Sequence, residues 1–214
     1  MLTEKLQHFF DSLGVQWVLV LLIVLSVIAV AIMVERFLFL RSRRVDPEQL
    51  GKAIRDCLQA NDWPAALAMA TAIDSMEGRV LAEGIRCLDQ GADAVEEIVQ
   101  SRMARERANY DRYLSFLGTL GNNAPFIGLF GTVLGIISSF ANLGSAEAGV
   151  DRAQLIQADL AEALVATAAG LLVAIPSVIA YNQFKGTIRL RINQTEALSR
   201  ELLAYLKSKK TKEP

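Results

Sequence analysis

Residues 124–140 read APFIGLFGTVLGIISSF, a stretch with no charge, one proline, three glycines and a single threonine, Thr132, near its middle. In water, glycine and proline weaken a helix by about 1 and 3 kcal/mol relative to alanine. A hydroxyl also adds nothing to a helix that touches only lipid tails. The pattern therefore asks for a neighbour: a closely packed helix or a polar lumen.

The stretch lies in an uncharged run from Tyr113 to Ala146. Two others flank it, Ser12 to Val34 and Ala163 to Phe184. Each reaches the roughly 20 residues that a helix needs to cross a bilayer core. The middle run is too short for two spans and a turn, so it reads as one long helix that projects from the membrane. The first run is followed by an arginine cluster rather than a small-residue cleavage site, and reads as a retained anchor. With 52% hydrophobic and 21% charged residues, the chain suits a few spans joined to a polar part. A net charge of −1 gives no global field for nucleic acid, and none is expected as a partner.

Lysine and arginine near the run ends set the expected orientation. Arg36, Arg41, Arg43 and Arg44 follow the first run, Arg102 to Arg112 precede the second, and Lys185, Arg189 and Arg191 follow the third. Only Lys5 and Arg152 occupy the other side. The N-terminus is expected outside and the C-terminus inside, with Arg41, Arg43 and Arg44 as topology determinants rather than a binding site. The expected organisation is a periplasmic segment 1–11, a first span 12–40, a cytoplasmic helical insert 41–112 and a second span with extension 113–143. A periplasmic loop 144–157, a third span 158–184 and a C-terminal helix with a basic tail 185–214 complete it. In the insert, ANDWPAALAMA (60–70) reads as a turn into a helix capped by Asp62, with Pro64 in its first turn. The stretch from Gly91 to Gly118 contains no breaker and is expected to run as a charged helix directly into the second span. The tail is expected to fray from about Lys207.

Cys57 and Cys87 both fall in the insert without CxxC spacing and read as reduced structural thiols. His8 is the only histidine, so a histidine-based metal site is not expected. No nucleophile–base pair or phosphate loop is present, no cofactor is implied, and an enzyme is not expected.

The second and third spans each carry a stripe. Gly121, Ala124, Gly128, Thr132, Gly135, Ser139 and Asn142 follow one another at steps of three and four, and so share one helical face. Asp159, Ala163, Thr167, Gly170, Ala174, Ser177 and Tyr181 do the same. Bulky residues, among them Phe126, Leu134, Leu164 and Leu172, are placed elsewhere. A face of small residues serves close helix packing or lines a polar lumen, and the stripes alone leave both open. Thr132 and Thr167 fall at similar depth, counted from the connection between the spans. Glu162, near the start of the third run, is either an interfacial acid at a helix start or a group facing a bundle interior. Pro125 and Pro176 each free a backbone carbonyl and tend to kink the helix, which a membrane tolerates only where neighbours or water satisfy that group. Three spans enclose a lumen poorly, and a ring of identical copies is the economical solution.

APFIGLFGTVLGIISSF together with DLAEALVATAAGLLVAIPSVIAYN (159–182) resembles the ExbB, TolQ and MotA group of proton-channel proteins. The likeness is strongest to the ExbB and TolQ branches. It implies an all-α membrane protein with three transmembrane helices and long cytoplasmic helical extensions, assembled as a homopentamer in the bacterial inner membrane. It further implies that the second and third spans line a pore. That pore would hold the single helices of an ExbD/TolR-like partner pair, which in turn drives a TonB/TolA-like energy transducer. Thr132, Thr167 and Glu162 match the family's polar pore positions, and Pro125, Pro176 and Asn182 its motif prolines and asparagine. The titrating aspartate of such systems belongs to the partner, and no Asp lies in any of the three uncharged runs. The implied function is a motor subunit driven by the proton motive force, working in TonB-type import or Tol-Pal-type envelope maintenance. Two other readings stand beside it: a passive membrane scaffold that recruits a cytoplasmic partner, and a stator of a motility system.

Overall fold

A computed structural model describes residues 16–145 and 152–212. The expectations for the N-terminal segment 1–11, for His8 and for the middle of the loop 144–157 fall outside those residues. Among the described residues every regular element is helical: α1 (Gln16–Ser42), α2 (Pro47–Gln59), α3 (Trp63–Ala72), α4 (Met76–Arg86), a single 3₁₀ turn (Leu88–Gln90), α5 (Ala92–Tyr110), α6 (Leu114–Ser145) and α7 (Arg152–Lys212). The chain divides into two compact units. An apolar unit covers residues up to Val34 and Tyr113–Asn182, and a polar unit covers Glu35–Arg112 and Gln183 onward. Among the described residues three helices are long and apolar enough to cross a membrane.

In the polar unit the short helices start where the sequence supplies caps. Asp46 accepts from the backbone N–H of Glu48 at 3.0 Å, ahead of Pro47. Asp62 accepts from Ala65 at 3.0 Å, with Pro64 in the first turn. Ser75 accepts from Gly78 at 3.1 Å. Such caps satisfy N–H groups that have no partner within the helix, each stabilising by about 1 kcal/mol. Leu50, Ile54, Leu58, Ala66, Ala70, Leu81 and Ile85 of α2–α4 close over Leu198 and Leu202 of α7. The Tyr205 hydroxyl donates to the carbonyl of Leu58 at 2.6 Å.

Charges are buried here only in pairs. Glu106, 4% exposed, accepts from Arg79 at 3.3 Å and Arg102 at 2.9 Å. Arg191 donates to the carbonyls of Leu40 (3.3 Å) and Arg43 at the end of α1, with Glu77 at 3.9 Å. A guanidinium at a helix C-terminus meets both the orphan carbonyls and the negative end of the dipole. Tyr110 is fully buried, and its hydroxyl accepts from the N–H of Met76 at 3.1 Å. Burial holds its pKa above the ordinary tyrosine value. Cys57 and Cys87 are half-buried and unbridged.

Four expectations change. The charged helix does not run into the second span: α5 ends at Tyr110, and α6 begins at Leu114. Tyr113 between them adopts φ 63°, and the Lys185 ammonium holds Asp111 at 3.0 Å. The break thus holds a left-handed residue and lies beside a tertiary ion pair, with no glycine or proline to mark it. Helix covers both edges of the expected loop 144–157, as α6 reaches Ser145 and α7 starts at Arg152. The tail expected to fray from Lys207 is helical to Lys212. Arg43 is more than a topology signal. It lies over the Phe39 ring at 4.3 Å and pairs with Asp74 at 3.2 Å, whereas Arg41 and Arg44 are exposed.

Candidate functional site

The apolar unit assembles the two stripes. Gly121, Ala124, Gly128, Gly135 and Ser139 of α6 are all buried, as are Ala163, Gly170, Ala174 and Ser177 of α7. The contact is closest where glycines face each other. A Cβ built on Gly128 would lie 2.7 Å from the carbonyl oxygen of Ala166, 3.0 Å from the Cα of Thr167 and 3.3 Å from the Cα of Gly170. One built on Gly170 would lie 2.6 Å from the carbonyl of Ala124 and 3.1 Å from the Cα of Gly128. These are backbone-to-backbone contacts, open only to residues without a side chain. Gly121 similarly meets Val178, and Gly118 meets the ring of Tyr181.

The stripe residues thus spend much of their smallness on contact between two helices of the same chain. Packing and lumen lining were open alternatives in the sequence, and the seam is occupied by packing. The hydroxyls sit at its edge. Thr167 is half-buried, and its Oγ1 donates to the carbonyl of Gly128 at 3.2 Å, across the seam. Thr132, also half-buried and one turn further along α6, turns its Oγ1 to the carbonyl of Leu129 at 2.7 Å. Ser139 and Ser177 likewise donate to carbonyls one turn back in their own helices, Gly135 and Val173. Each donor is therefore satisfied, and the lone pairs of Thr132 and Thr167 remain as acceptors beside an apolar surface.

Glu162 is exposed on α7 one turn before Ala166. Pro125 is half-buried inside α6 and Pro176 exposed inside α7, and both helices continue through them. The remaining α6 and α7 surface is apolar and bare: Phe126, Phe140, Leu164 and Leu172 are all at least 67% exposed. Such a surface needs lipid or protein to cover it. Leu134 departs from the expected outward placement and is 5% exposed.

The stripe reading missed a second small-residue contact. A Cβ on Gly131 would stand 2.7 Å from the Cβ of Ala166 and 3.2 Å from Val18 of α1. This is where α1 joins the pair, with Trp17 edge-on to Phe130 at 6.3 Å. Gly131 signalled it, because at about 100° per residue it lies roughly 60° from Gly128 and so extends the small face beyond the stripe's edge. Among the described residues no group of His, Cys, Asp and Glu could hold a metal ion.

Comparison with known proteins adds the relatives. The sequence pattern of the MotA/TolQ/ExbB proton channel family matches residues 72–197. The biopolymer transport protein ExbB of Neisseria meningitidis serogroup A is 30% identical over 207 residues, covering 90% of this chain and 92% of that protein. The ExbB of Salmonella typhimurium is 35% identical over 182 residues, 79% of this chain and 72% of that one. The Tol-Pal system protein TolQ of Pseudomonas aeruginosa is 39% identical over 123 residues, 56% of this chain and 52% of that one.

Proposed function

The chain belongs to the MotA/TolQ/ExbB proton channel family, and from that premise we propose that it is the ring-forming subunit of a motor driven by the proton motive force. In this reading it sits in a bacterial inner membrane with its N-terminus in the periplasm and its C-terminus in the cytoplasm. Five copies surround the single helices of an ExbD/TolR-like pair, and the assembly acts on a TonB/TolA-like transducer.

One observation carries the reading: the glycine-to-glycine seam fixes Thr132 and Thr167 at its edge with their donors already used. A carboxylic acid from a threaded helix could then donate to them when protonated and would meet no fixed cation when ionised. Charged and neutral forms of that acid are therefore held differently at different points of the ring, which a stroke requires. One proton crossing 100 mV supplies about 2.3 kcal/mol. That is comparable to a few hydrogen bonds of the kind Thr167 makes across the seam, about 0.6 kcal/mol each on average in membranes. Polar contacts of this size can therefore bias the step.

The scaffold reading has an observation of its own, since nine small-face positions are buried within one chain. Single substitutions separate the two. Thr167→Val or Thr132→Val should abolish proton-dependent energy transduction in cells while the complex still assembles. Unimpaired transduction in both variants would favour the scaffold.

A further inference from the structure

Most cations of the polar unit have a carboxylate. Arg79 and Arg102 share Glu106, Arg86 faces Glu83, Lys207 faces Glu96 and Arg200 faces Glu196. A groove of about 510 Å³ between α5 and α7 departs from this pattern. Arg107, Asp111, Lys185, Arg189 and Glu196 line it, with Gly186 along the wall, where an added Cβ would meet nothing within 4 Å. Both acids are engaged, Asp111 by Lys185 at 3.0 Å and Glu196 by Arg200. Arg107 and Arg189 are exposed and have no carboxylate partner among the described residues. The groove therefore presents two uncompensated guanidiniums beside the Lys185–Asp111 pair.

Its position along the chain narrows the ligand. Lys185 directly follows Phe184, the end of one uncharged run, and Arg107 precedes Tyr113, the start of another, by six residues. At 1.5 Å per residue, Lys185 and Arg189 lie within about 8 Å of helix from the end of the run at Phe184, on the same helix, and Arg107 and Asp111 line the groove with them. That is the depth of lipid headgroups. Guanidinium forks match phosphate oxygens, and the wall left open by Gly186 gives room for a group of that size.

We propose that this groove binds the phosphate of an anionic phospholipid headgroup. The inference uses the three spans but neither the pore nor the motor, so it stands or falls separately from the proposed function. The test uses full-length protein purified in mild detergent. Native mass spectrometry counts phosphatidylglycerol and phosphatidylcholine of matched chains retained per polypeptide. The wild type should retain phosphatidylglycerol in preference, and raising salt from low to high concentration during exchange should reduce that preference. At about fivefold for each surface cation, Arg107→Gln with Arg189→Gln should lower phosphatidylglycerol retention by roughly 25-fold. Arg55→Gln with Arg86→Gln, which removes two charges outside the groove, should leave it unchanged. Equal retention by the double variant, or a wild-type preference insensitive to salt, overturns the proposal. Displacement of the lipid by millimolar inorganic phosphate would assign the groove to a soluble anion and overturn it too. So would loss of the oligomer in the double variant, which would identify the groove as a contact between copies.

Discussion

Replacing Gly128 by alanine tests the seam with one methyl group. The added carbon would stand 2.7 Å from the Ala166 carbonyl oxygen and 3.0 Å from the Thr167 Cα, against an ordinary van der Waals separation of 3.4 Å or more. Both obstacles are backbone, so no rotamer change relieves them and α6 and α7 must separate by several tenths of an ångström. Overpacking of this kind costs about 1–3 kcal/mol. Alanine's better helix propensity returns at most about 1 kcal/mol, and the separation also lengthens the 3.2 Å bond from Thr167 to the Gly128 carbonyl. A net destabilisation of about 1–2 kcal/mol is expected. Gly170→Ala should cost as much, because its Cβ meets the Ala124 carbonyl at 2.6 Å. The double variant should cost less than the sum, since both relieve the same contact. Gly186→Ala, with nothing within 4 Å, serves as the control and should be neutral or slightly stabilising. The assay is reversible unfolding of the detergent-solubilised protein by increasing SDS, followed by circular dichroism. A Gly128→Ala variant as stable as the wild type would refute the backbone-contact argument.

Other outcomes follow from the polar unit. Tyr110→Phe should destabilise by about 1–3 kcal/mol, because the Met76 N–H loses its buried acceptor. The raised pKa of Tyr110 means that the folded state holds this proton more tightly than the unfolded chain does. Its contribution is complete below the ordinary tyrosine value of about 10 and is lost as pH rises beyond it. The wild type should therefore weaken above pH 10 more steeply than Tyr110→Phe in urea titrations, and parallel curves would contradict the assignment. Asp62→Ala should cost about 1 kcal/mol by removing the cap on Ala65, read in the same titrations. Neutralising Arg41 and Arg44, both exposed, should disturb membrane orientation in a reporter fusion without altering the packing around Phe39. Arg43→Gln should do both, because it also holds Asp74.

The start at Trp63 was legible because its signal is local: Asp62 before Trp63 and Pro64 needs no tertiary partner to be read as a cap. The α5–α6 break was not, since Asp111, Arg112 and Tyr113 carry no intrinsic helix breaker. The left-handed φ of Tyr113 and the pairing of Asp111 with Lys185, more than 70 residues away, are visible only in the fold. The small faces of α6 and α7 could be read from residue spacing, but spacing is silent on what lies opposite. Only the approach of Gly128 to Gly170 shows that each face meets the other. Leu134 is buried although its neighbours Val133 and Ile137 are exposed, a placement that the stripe did not predict. Arg43 was read from its charge and its place after an apolar run, whereas its stacking on Phe39 arises only after α1 ends. Local chemistry was visible in the chain, and pairing between distant segments was not.

The most direct measurement of the central proposal is a density map of the complex taken intact from the membrane, at a resolution that separates side chains. The account predicts a closed ring of identical copies in which the Thr132 and Thr167 hydroxyls lie within hydrogen-bond reach of a carboxyl group on a helix threaded through the middle. Those hydroxyls facing lipid tails, or a single copy with nothing enclosed, would contradict it.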